Sequence, residues 1–123
     1  MASWVIPDLP HAFWGEVSLG GQPAPVGTVI VGRTRNARYF TPNNPFTLTE
    51  AGKLGGGGGF DPKMVVQGDF SPDGAGNIPV GEPIFFFVEG DTWPLWVYSY
   101  EQGGYVYAIP YEIGGVSQVY LVK

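Results

Sequence analysis

The chain has 123 residues, room for one domain whose core buries roughly 65–70% of the unfolded surface. Gly (20) and Pro (12) make up about a quarter of it, a share that points towards disorder, yet 15% aromatic residues are an apolar load that must be buried or paired. A net charge of −5 argues against nucleic acid as a partner, and the lack of cysteine excludes disulfides, thiolate chemistry and Cys-ligated zinc.

Gly and Pro interrupt the chain so often that the longest stretch free of both, residues 33–41, is nine residues. An ordinary helix needs about 11–12, whereas strands of four to eight fit every window. The expected fold is therefore all-β. Residues 1–10 read as an N-terminal arm carrying the apolar triplet Trp4, Val5 and Ile6. They lack the charged and apolar regions of a signal peptide, so none is expected. No stretch approaches 18 apolar residues, so no membrane span is expected either. Residues 11–123 read as a single domain. In its first strand Phe13, Val17 and Leu19 share one face and Trp14, Glu16 and Ser18 the other. A turn at 20–25 leads to a strand over 26–33, continuing irregularly through Tyr39 and Phe40. Short strands follow at 46–49 and 63–67. Between them Gly55 to Gly59 form a five-glycine run, either a flexible loop tip or a close backbone approach to a partner or another chain. The apolar run 84–89 reads as a central strand buried on both faces. Segments 96–100 and 105–109 read as a hairpin around 101–104, and 116–123 as the last strand. These elements amount to seven to nine short antiparallel strands, an Ig-like β-sandwich with no substantial helix. Its expected core includes Phe13, Val17, Ile84, Phe86, Val88 and Leu121.

Three blocks carry a resemblance over nearly the whole chain. They are PHAFWGEV (10–17) followed by GQPAPVGTVI (21–30), then KMVVQG (63–68), then VGEPIFFFVEG (80–90) with the closing GGVSQVYLVK (114–123). Together they resemble the small Ig-like, prealbumin-type β-sandwich accessory domains of bacterial and archaeal surface and secreted proteins. The resemblance implies a non-catalytic module, with Gly15 and Gly27 at a tight approach or bend and Pro23 and Pro25 stiffening the first turn. Residues 91–113 are longer and more aromatic than the family's turn before the last strand, and read as an aromatic hairpin insertion.

Catalytic chemistry has little to work with. His11 is the only histidine, and none of Ser3, Ser18, Ser71, Ser99 or Ser117 sits in a nucleophile-elbow context; its role looks structural. Glu16, Glu89, Glu101 and Glu112 read as solvated faces rather than a glycosidase pair. Asp69, Asp73 and Asn77 lie in a turn-rich loop without EF-hand spacing, which reads as turn chemistry before it reads as a calcium site. Arg33, Arg35 and Arg38 are the only basic cluster, either a charge-blunted edge strand or a patch for an acidic neighbour. No enzyme activity, metal or cofactor is expected.

The hairpin stands out. With 101–104 as its loop, Tyr100 faces Tyr105, Tyr98 faces Tyr107, and Trp96 faces Ile109. Trp96, Tyr98, Tyr100, Tyr105 and Tyr107 then share one face, with Val97, Ser99, Val106 and Ala108 on the other. Either face suits the core. Rings facing out would form a platform for binding or assembly. The expected function is a structural or assembly module that decorates a cell envelope, filament or virion through protein contacts. Its partners would be copies of itself or a larger assembly, reached through these rings or through Trp4, Val5 and Ile6. A carbohydrate-binding module using the same stripe on a polysaccharide is the alternative. The expected location is extracellular, on a cell surface or in a virion.

Overall fold

The computed structural model describes residues 9–34, 43–66, 78 and 80–123. Every regular element among them is a strand. The strands are β1 (His11–Leu19), β2 (Gln22–Pro23), β3 (Val29–Arg33), β4 (Phe46–Thr47), β5 (Lys53–Leu54), β6 (Met64–Val66), β7 (Pro83–Val88), β8 (Trp96–Ser99), β9 (Gly104–Val106), β10 (Ile109–Pro110) and β11 (Val116–Val122). Eleven strands exceed the seven to nine expected, because two-residue strands such as β2, β5 and β10 are too short to show an alternation.

The strands form two sheets. One has seven strands with the path β2-β1-β11-β8-β9, and both β5 and β6 pair with β1. The other has four, in the order β10-β7-β3-β4. The larger sheet is mixed rather than purely antiparallel: β1 runs parallel to β11, from Ala12 opposite Val116 to Ser18 opposite Val122. Nearly the whole chain separates these two strands, so no tight turn imposes an antiparallel pairing on them.

Side chains from both sheets fill one core. Phe13, Val17, Leu54, Met64, Val97 and Leu121 come from the larger sheet, and Ile30, Phe46, Ile84, Phe86 and Ile109 from the smaller. Phe13 meets Phe86 edge-to-face at 4.9 Å between ring centroids, joining β1 to β7. Of the six expected core residues five are fully buried, and Val88 packs against the core partly exposed. The run around β7 is not buried on both faces: Ile84 and Phe86 are buried, whereas Phe85, Phe87 and Val88 are half-buried. Its outer face carries a cation–π contact instead, with the Arg33 guanidinium 4.3 Å from the centre of the Phe87 ring.

Two glycines flagged by the sequence play different parts in the fold. Gly15 has φ of 149°, and a Cβ there would lie 1.8 Å from the Val119 carbonyl oxygen. The parallel seam therefore closes only with glycine at that position. Gly27 has a positive φ and open space around it, so it serves a bend rather than a close approach. Residues 91–113 supply β8, β9 and β10 to both sheets and place Leu95, Val97, Ile109 and Tyr111 in the core.

Candidate functional site

Strand alternation decides which side of the hairpin meets the core. Val97 and Ser99 are buried and Val106 packs against the core, so the ring-bearing positions between them point outward. Trp96 is 48% exposed, Tyr100 49%, Tyr105 60% and Tyr107 64%, with Tyr98 half-buried among them. The hairpin register differs from the expected one. Tyr98 pairs with Tyr105 and Ser99 with Gly104, leaving 100–103 as the loop. Gly103, at φ of 74°, returns its N–H to the Ser99 carbonyl at 2.7 Å, and the Ser99 hydroxyl accepts the Gln102 N–H at 3.1 Å. The loop chemistry thus shifts the pairing by two residues, which leaves every side chain on its original face. Ile109 does not face Trp96; it has crossed to the other sheet, opposite Ile84.

The rings support one another. Trp96 and Tyr107 lie 4.5 Å apart at 32°, and Tyr98 makes edge-to-face contacts at 5.2 Å with both Tyr100 and Tyr105. Pairwise registers extend this face across the sheet. Tyr105 on β9 neighbours Tyr98 on β8, which neighbours Tyr120 on β11, then Glu16 on β1, then Lys53 on β5. Four interstrand spacings make that row roughly 19 Å long. Tyr120, Glu16 and Lys53 were missed as members of it. The alternation of residues 116–122 was a readable signal for Tyr120, but the long-range pairing that sets it beside Tyr98 and Glu16 had none. Beyond Tyr120 the surface dips into an open depression of about 260 Å³ lined by Glu16, Ser18, Gly52, Lys53 and Tyr120 among others. A second depression of the same volume lies beside Glu50, Lys53 and Asp61. Both are smaller and more open than a typical small-molecule pocket of roughly 300–1,000 Å³.

The five-glycine run packs tightly, but against its own chain. A Cβ on Gly55 would lie 2.0 Å from the Pro62 carbonyl oxygen, and one on Gly57 would lie 2.8 Å from the Trp14 ring. Asp61 accepts the Gly58 N–H at 2.8 Å, and Lys63 Nζ donates to the Gly58 carbonyl at 2.6 Å. The tied loop holds Phe60 fully in solvent.

His11 is wholly buried. Its Nδ1 accepts the Glu112 N–H at 3.1 Å, which assigns the ring proton to Nε2, and Nε2 donates to Ser117 Oγ at 2.8 Å. The ring stacks on Phe13 at 4.2 Å, and burial lowers its pKa to about 4. This histidine–serine pair joins β1 to β11 inside the protein. Ser18 and Ser99 hydroxyls bond to nearby backbone groups at 3.1 Å. Glu16, Glu89, Glu101 and Glu112 are exposed. Among the described residues no group of three or more His, Cys, Asp or Glu is placed to hold a metal ion, and no helix is long and apolar enough to cross a membrane. Trp4, Val5 and Ile6, Arg35 and Arg38, the Asp69–Asp73–Asn77 loop, Ser3, Ser71, Tyr39 and Phe40 lie outside the described residues.

No protein-family model, curated protein or solved structure matches the chain.

Proposed function

We propose that this chain is an Ig-like, prealbumin-type β-sandwich domain that acts without catalysis. It works within a larger surface structure, in a cell envelope, filament or virion, and meets a protein neighbour there through contacts on its aromatic face. The observation that carries this reading is the outward-facing cluster of Trp96, Tyr98, Tyr100, Tyr105 and Tyr107. At roughly 150–250 Å² per side chain, the four rings near half exposure offer on the order of 400 Å². A patch of that size matches the largest on a typical monomer, which is often functional, and it is about half of the roughly 800 Å² that each partner gives to a standard interface. Tyr and Trp suit this use because their polar groups keep them soluble until the partner arrives. Two further features support a non-catalytic sandwich. The one His–Ser contact is sealed in the core, and both sheets contribute to a single core between them.

The test compares the parent with the double variant Tyr98→Ser, Tyr105→Ser in sedimentation with envelopes or particles from the source organism. The variant is expected to keep its far-UV spectrum and to stay in the supernatant while the parent pellets. Equal sedimentation of a folded variant would overturn the reading. Retention of the parent by a polysaccharide gel, lost in the variant, would replace it with the sugar-binding alternative.

A further inference from the structure

Resting on the reading of the aromatic face as a protein-docking surface, we infer that its occupant is a second copy of this chain, bound face to face about a two-fold axis.

The inference starts from the row across the larger sheet. In order it reads Tyr105, Tyr98, Tyr120, Glu16 and Lys53, with Tyr120 in the middle. One end is a ridge of rings, Tyr105 being 60% exposed. The other end is the depression of about 260 Å³, bordered by Glu16, Lys53 and Tyr120. A two-fold axis along β11 at Tyr120 turns the row end for end. The ridge of each copy then enters the depression of the other, and Tyr120 meets its own symmetry mate. This is the self-complementarity that a closed two-fold interface demands, residue i on j and j on i.

The chemistry matches as well. Tyr98 comes to Glu16 of the second copy, a carboxylate able to accept the phenol proton in a hydrogen bond. Tyr105 comes to Lys53, a cation over a ring. The row carries one charge of each sign, so it is neutral although the chain carries −5. Two acidic molecules therefore meet on this face without setting like charges against each other. The rings alone supply about half of one partner's share, so a stable interface needs the β11 and β1 side of the row covered as well. Strand-parallel stacking of two sheets is a standard packing mode, with faces about 10 Å apart.

Sedimentation velocity over a range of concentrations tests this. The parent is expected to pass from monomer to dimer. Tyr120→Lys places two ammonium groups together on the axis and should weaken self-association by at least about tenfold. Two more variants give a rescue. Tyr98→Ser with Tyr105→Ser removes the ridge, and Ala51→Trp fills the depression, which Ala51 also lines. Each alone should be monomeric with an unchanged far-UV spectrum. Mixed, they should form a heterodimer weaker than the parent dimer, because one ridge and one depression survive between them. A parent that stays monomeric overturns the inference, as does a Tyr120→Lys variant that dimerises like the parent. A monomeric parent that still pellets with envelopes or particles, while the double Ser variant does not, would leave the docking reading standing and exclude the second copy as its occupant.

Discussion

A single methyl group at position 15 would press into the Val119 carbonyl oxygen, on the seam between β1 and β11. Backbone atoms cannot swing aside as a long side chain can, so the seam itself must part. Gly15→Ala is expected to destabilise the protein by about 3 kcal/mol or more, read as a shift in the urea midpoint. A midpoint within error of the parent would show that the strands can separate cheaply. His11 sits on the same seam, and its effect depends on pH. Its pKa is near 4 in the folded chain against 6.5 for the unfolded one, so below pH 6.5 the unfolded state binds the extra proton. Stability is then fully present above about pH 6.5 and falls as the pH drops towards 4, by up to about 3 kcal/mol. His11→Asn keeps an acceptor for the Glu112 N–H and should be less stable at pH 7, but with a shallower loss between pH 6.5 and 4.5. Parallel pH profiles for the two proteins would contradict this assignment.

At the scale of elements, sequence patterning reached the strands that alternate over several residues. The core positions Phe13, Val17, Ile84, Phe86 and Leu121 were legible because apolar residues recur at period two in β1, β7 and β11. The run Phe85–Phe86–Phe87 misled, since three identical residues carry no alternation and a half-covered outer face looks the same as a buried one. The ring cluster was legible as a cluster, and its side was left open, because Val97 and Ser99 are as compatible with a core as Trp96 and Tyr98 are. Register was out of reach: Ser99 and Gly103 set the turn through hydrogen bonds that no composition rule encodes. The parallel β1–β11 pairing was out of reach for the same kind of reason, as it joins residues about a hundred positions apart. These placements yield opposite expectations for the two sides of the sheets. Phe86→Ala empties a fully buried ring position and should cost about 3–5 kcal/mol. Tyr105→Ser removes a mostly exposed ring and should cost about 1 kcal/mol or less in the isolated chain. Chemical denaturation of both variants checks the contrast, and similar losses would mean that the outer rings are part of the fold's own packing.

For the whole molecule, the two faces of the larger sheet differ in composition, apolar inside and ring-bearing outside. The inner faces and the His11–Ser117 link hold the fold, and in the proposed function the outer face of the larger sheet meets the partner. The acidic net charge keeps the rest of the surface apart from like molecules, while the neutral aromatic row provides one place where contact is favourable. The most direct measurement is photo-crosslinking with a benzophenone amino acid at position 105, against the same group at Val26, an exposed position outside the strands, within native envelopes or particles. The account predicts crosslinks to protein from position 105 and none above background from position 26. Crosslinking from position 26 alone, or equal yields from both, would contradict the claim that the aromatic face is where this protein docks.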